Sequence, residues 1–142
     1  MHNDLMRVSL VVFLLLIAAV PFSASDNSLA CKGRPDLVGE CRVIHGRLMF
    51  YNGTPSFRIW VVGTHRLLGV QEIKYNDNPE RPLMPESIWK KTGGDEYELY
   101  ADFDVCPLTT QRPGWMQMVC VESAQHVVSR TSDGIKYNDK LR

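Results

Sequence analysis

The sequence predicts an all-β domain, a small antiparallel β-sandwich of about six or seven strands, preceded by an N-terminal signal-peptide helix. Three observations carry this reading. Ser56 to Val62 and Tyr97 to Cys106 alternate apolar and polar residues with period two, as half-buried strands do. Turn signals at Asn52-Gly53, Gly63-Thr64 and Pro113-Gly114 separate the apolar stretches. Beyond the leader, no segment sustains the 3.6-residue apolar stripe of a surface helix.

The elements follow in order. Arg7 precedes an apolar run from Val8 to Val20, then Pro21 and the small residues Ser23-Ala24-Ser25, the layout of a secretory signal peptide over residues 1–25 cleaved before Asp26. The run is shorter than the roughly 20 residues needed to cross a bilayer, so no stable membrane span is expected after cleavage. Residues 26–40 form an N-terminal segment, and residues 41–130 form the sandwich. Its first strand is Cys41 to Tyr51, rich in β-branched and aromatic types and ending at Asn52-Gly53. In the next, Phe57, Ile59 and Val61 face inward while Arg58 and Trp60 face outward. A turn at residues 63–66 leads to a strand over 67–73, with Gly69 as a bulge. Residues 76–95, with Pro79, Pro82 and Pro85, read as a long loop with one helical turn at 85–91 that tucks Trp89 onto the core. Strands at 97–106, 115–121 and 125–130 complete the sandwich, and residues 131–142 read as a polar C-terminal tail.

Cys31, Cys41, Cys106 and Cys120 all lie beyond the leader, an even set that belongs in disulfides in an oxidising compartment. The spacing favours Cys106 with Cys120 about the Pro113-Gly114 turn, leaving Cys31 with Cys41 about Gly33-Arg34-Pro35. No Cys-x-x-Cys spacing supports zinc.

His45-Gly46-Arg47-Leu48, Asn52-Gly53-Thr54-Pro55, Arg58-Ile59-Trp60-Val61, Asp102-Phe103-Asp104-Val105 and Pro113-Gly114 together resemble the carboxypeptidase regulatory-like, or transthyretin-like, β-sandwich over roughly residues 42–128. The chain also resembles small exported bacterial proteins. The first resemblance implies an accessory or binding module and supplies no site residues.

Sixteen Lys and Arg balance sixteen Asp and Glu, which excludes a nucleic-acid binder working through bulk charge. There is no Gly-x-Ser-x-Gly, no His-Glu-x-x-His and no Gly-rich phosphate loop. The expected function is therefore a non-catalytic accessory or binding module, secreted or periplasmic, without a cofactor, whose partner is another envelope or secreted protein. Its expected binding surface is Arg58, Trp60, His65 and Arg66, because an outward Trp beside Arg is the composition of a recognition surface. The alternative is a periplasmic copper protein. Met116 and Met118 stand two apart on a strand and offer soft thioethers to Cu(I), with His45 or His126 completing the site. Against copper, Met116, Met118 and Cys120 share a face that serves equally well as core.

Overall fold

The computed structural model describes residues 31–75, 78–92, 98–131 and 134–141. The signal peptide expected at 1–25 lies outside these residues. The all-β class is observed: β1 (Arg42–Phe50), β2 (Phe57–Val61), β3 (Leu67–Val70), β4 (Glu72–Tyr75), β5 (Asn78–Pro82), a single helical turn α1 (Glu86–Trp89), β6 (Glu98–Pro107), β7 (Gln117–Thr131) and β8 (Gly134–Leu141). Among the described residues no helix is long and apolar enough to cross a membrane.

The main sheet runs β3-β2-β1-β6-β7-β8, and β3 also pairs in parallel with β7. That extra pairing closes five strands into a barrel, so the two expected layers are opposite walls of one sheet. Around the closure the strands run first, second, third, fifth, fourth, with α1 between the third and fourth. This is the order of a five-stranded Greek-key barrel of the OB type.

Strand β1 serves both walls, pairing with β6 over residues 42–48 and with β2 over 46–50. Gly46 lies where the two pairings overlap, and a Cβ there would stand 2.5 Å from Ile59 Cγ2 and 3.4 Å from Phe103 Cδ2. Only glycine lets the strands approach this closely. The alternation read from the sequence sets the core: Phe57 and Ile59 are buried on β2, and Leu99, Ala101, Phe103 and Val105 on β6. On β7 the inward residues are Gln117, Val119 and Val121, while Met118 turns outward. The expectation that Met116, Met118 and Cys120 share a core face is therefore corrected for the methionines, which are half-buried.

Strand β7 is a single 15-residue strand rather than two short ones. It accommodates two irregularities, one at Glu122 between the pairs Val105↔Val121 and Asp104↔Ser123, the other between Asp102↔Gln125 and Tyr100↔Val128. The second holds His126 at φ 50, the one described non-glycine residue with positive φ.

Within the stretch expected to be a loop, proline did not keep residues 78–82 unstructured. β4 and β5 form a two-stranded sheet of their own, where Pro79 and Pro82 are tolerated because no central ladder needs their N–H groups. Met84 and Ile88 are buried in the barrel core, and Trp89 packs against it as anticipated. Likewise, residues 134–141 are not a free tail but pair as β8 with Ala124 to Thr131 of β7. The outer edge of β7 is covered along its length: β3 over 117–119, Gln71 N–H on Val119 O (2.9 Å), Val121 N–H on Leu83 O (2.9 Å), then β8.

The disulfides are Cys31–Cys120 and Cys41–Cys106. The expected pairing is corrected, although Cys106 and Cys120 do stand opposite one another across β6 and β7. Each reaches instead to the N-terminal segment, which lies across both strands. Cys31 and Lys32 donate backbone N–H bonds to Glu122 Oε2 at 2.7 and 3.1 Å, and Val38 N–H bonds Pro107 O at 3.0 Å. These anchors bring Cys31 and Cys41 to the paired strands, and Leu83, Leu37, Ile73 and Leu108 pack around the sulfurs as a second small core.

Two outcomes are expected. Gly46→Ala lowers unfolding free energy by about 1–3 kcal/mol in a denaturant titration through overpacking against Ile59. Replacing Cys41 and Cys106 together with serine costs about 4 kcal/mol, as closure of a long loop in the unfolded chain is lost, and non-reducing peptide mapping of the native protein recovers Cys31 with Cys120.

Candidate functional site

The residues singled out from the sequence separate into three places. Arg58 and Trp60 lie outward on β2, as alternation requires, but their polar groups are already engaged. Trp60 Nε1–H donates to Thr64 O at 2.7 Å, and the Arg47 guanidinium stacks 5.3 Å from its ring. Arg58 Nε–H donates to Pro55 O at 3.0 Å while its guanidinium lies 5.0 Å from the Tyr51 ring. Arg47 continues the row to Glu98 Oε1 at 3.3 Å, and Tyr100 OH donates to Glu98 Oε2 at 3.3 Å. This wall is a cross-strand ladder of stacked cations and rings, in which Arg47 Nε is buried without a hydrogen-bond partner.

His65 and Arg66 leave that wall and line an open cleft of about 370 Å³ between the 63–66 turn and the segment 111–117. The far side is Gln111, Arg112, Pro113-Gly114 and Trp115. Trp115 is 78% exposed, the most exposed large hydrophobic residue described. Gln117 forms the floor and is 7% exposed. Its Oε1 accepts from Arg66 Nη2 at 3.1 Å and Arg42 Nη2 at 3.2 Å, and its Nε2 donates to Thr109 O at 2.9 Å. The β3–β7 pairing builds the cleft, because aligning Leu68 with Gln117 brings the turn before β3 beside the loop before β7. Leu108 N–H and Met118 N–H bond Met118 O and Thr109 Oγ1 at 2.9 and 2.8 Å, tying the loop to the barrel. Sequence reading found the Pro113-Gly114 turn but missed Trp115, Arg112, Gln117 and Arg42. The sequence places Trp115 at the start of a strand, and the one signal against that is its position directly after Pro-Gly.

The copper candidates do not assemble. Met116 and Met118 converge over Gly69, where a Cβ would lie 2.9 Å from each Sδ. His45 and His126 lie instead on β1 and β7, where their Nδ1 atoms stand 2.8 Å from Asp102 Oδ1 and Oδ2 respectively. No group of three or more His, Cys, Asp and Glu placed to hold a metal occurs among the described residues. All four cysteines are in disulfides, so no thiol is available as a nucleophile.

Hydrogen bonds from His45 and then His126 hold the Asp102 carboxyl below its ordinary value, against a smaller opposing effect of burial. A depressed carboxylate stabilises the fold above the unfolded-state value of about 3.9 and loses that contribution as pH falls through the folded-state value. Asp102→Asn is therefore expected to lower stability by about 0.5–1 kcal/mol near neutral pH, with the gap from wild type closing in acid. Thermal unfolding from pH 2 to 7 checks the difference.

No family model matches the chain, and neither does any curated protein or solved structure.

Proposed function

We propose that the protein is an exported, non-catalytic binding module that takes its ligand in the cleft between the 63–66 turn and the 111–117 segment. Two disulfides fit a non-reducing environment, and with the signal-like leader they support a secreted or periplasmic setting. The observation that carries the binding reading is Trp115, 78% exposed at the rim of a cleft with arginines on two sides. A large side chain left in water forgoes about 1.5–3 kcal/mol of burial, and Trp with Arg is the composition of binding hot spots. The cleft volume of about 370 Å³ suits a small ligand or one side group of a larger partner, such as another envelope or secreted protein. His65 and Arg66 belong to this surface, whereas Arg58 and Trp60 brace the adjoining wall. A second reading, Cu(I) binding by Met116 and Met118, is favoured only by the convergence of their sulfurs over Gly69, and the two histidines expected to complete it, His45 and His126, bond Asp102 instead.

The test is a thermal-shift screen of small metabolites and glycans with wild type and Trp115→Ala. The variant's own stability should lie within about 0.5 kcal/mol of wild type, because most of the Trp115 surface is already in solvent. A ligand of the cleft at a hundredfold its dissociation constant stabilises wild type by about 2.7 kcal/mol and Trp115→Ala by far less. Ligands that shift both proteins equally would place binding elsewhere.

A further inference from the structure

We infer that the cleft is built for an anion, and that its ligand is a small ring-bearing carboxylate or phosphate ester. This rests on the cleft reading above and names the ligand chemistry. The decisive feature is Gln117. A buried side-chain oxygen that accepts from two guanidiniums, Arg42 at 3.2 Å and Arg66 at 3.1 Å, holds two positive charges close together. An acidic residue in that position would neutralise them. The neutral amide orients both and leaves their charge uncancelled. Donation from Nε2 to Thr109 O at 2.9 Å fixes which end of the amide faces the arginines.

Among the described residues, no ion pair joins Arg42 or Arg66 to a carboxylate. The cleft lining holds Arg66, Arg112 and His65 and contains no Asp or Glu, while Arg42 reaches the Gln117 floor from β1, outside the lining. Several other cations of the barrel do meet acids: Lys32 with Asp104 at 2.7 Å, Arg47 with Glu98 at 3.3 Å, Arg34 with Asp36 at 2.8 Å. Guanidinium forks match carboxylate and phosphate oxygens two at a time, which an ammonium does not. Trp115 on the opposite rim supplies a flat apolar face for a ring. A ligand joining the two features spans the cleft, with its anionic group at Arg66, whose charge Arg42 reinforces from the other side of Gln117 Oε1, and its ring against Trp115. Gln117 is a positioning residue in this scheme, acting through the arginines.

Four probes separate the contributions: phenyl phosphate, benzoate, inorganic phosphate and benzyl alcohol, each titrated against the full mature protein by tryptophan emission and calorimetry. Phenyl phosphate or benzoate should bind saturably and at least tenfold more tightly than inorganic phosphate, with benzyl alcohol not binding. The preferred probe identifies the anionic group. Arg66→Gln and Arg42→Gln should each weaken that probe about tenfold. Gln117→Glu should do the same while keeping an acceptor between the guanidiniums, because it offsets their charge, and 0.5 M salt should weaken wild type more than any of these three variants. A denaturant titration of each variant excludes misfolding as the cause. Absence of saturation below about 10 mM with both anionic ring probes overturns the inference. So does binding that Trp115→Ala weakens but the Arg42, Arg66 and Gln117 variants leave unchanged, although the cleft reading then stands. Binding that none of the four variants alters overturns both.

Discussion

Three backbone pairs hold the architecture together: Leu68↔Gln117, Gly69↔Met118 and Val70↔Val119. They are the whole of the seam between β3 and β7, and without them the sheet would be open, with β3 and the 117–119 end of β7 left as unpaired edges. Closure explains features that look unrelated. Gly69 carries no side chain because Pro55 and two methionines occupy the space above it. Gln117 points inward, although it is polar, because the seam places it between Arg42, Arg66 and Thr109, which together satisfy its amide. The cleft exists because a short parallel pairing forces two loops, some fifty residues apart in the chain, to begin side by side.

The second support is the N-terminal segment strapped across the barrel. β6 and β7 present Cys106 and Cys120 as neighbours, and the strap answers with one cysteine at each end. A bond between Cys106 and Cys120 would have joined strands already paired by their backbones. The observed pattern joins a segment that has no ladder of its own, closing loops of sequence separation 89 and 65, where the entropic benefit of a cross-link is greatest. The bulge at Glu122 serves the same strap, since its carboxylate takes the first two backbone N–H groups of the described chain. Leu83, from the proline-rich stretch, then fills the space around the sulfurs while its backbone completes the edge of β7. An all-β chain of this size thus gains a second core, without a second domain, from residues whose composition suggested a loop.

What was legible in the sequence was local. Period two in β2 and β6 assigned Phe57, Ile59, Leu99, Ala101, Phe103 and Val105 inward, because side-chain direction in a strand depends on near neighbours alone. The even cysteine count and their oxidised state were legible for the same reason: they depend on composition and compartment. The pairing of the cysteines was not, since it depends on where the strap lies. Nor was the parallel seam, for which residues 67–70 and 117–119 carry no mutual signal. The His65 and Arg66 half of the cleft was visible as a charged turn, but Gln117 and Arg42 acquire their role only when strands distant in sequence meet. The prolines of 76–95 predict a loop, a rule that holds for central strands and fails at residues 78–82, which belong to a two-stranded flap.

A formal net charge of zero describes the chain but not its surface. On the wall formed by β1, β6 and β7, each acidic group has a use: Asp102 joins two histidines, Glu98 receives Arg47 and Tyr100, Asp104 receives Lys32, and Glu122 caps the strap. Such pairs, mostly exposed, contribute little individually to stability, and they leave little field behind. At the seam the arrangement is reversed, with two guanidiniums turned toward one neutral oxygen and no acid in the cleft lining. Like charges held together by the fold lower its stability in the absence of a counter-ion, so the cluster is poorly explained as a structural brace. The Arg47–Trp60 stack shows how this chain builds a brace from an arginine: it gives the guanidinium both a ring and a carboxylate. Arg42 and Arg66 converge on a neutral anchor instead, the one Gln117 oxygen, and the anion proposed for the cleft would supply the counter-charge.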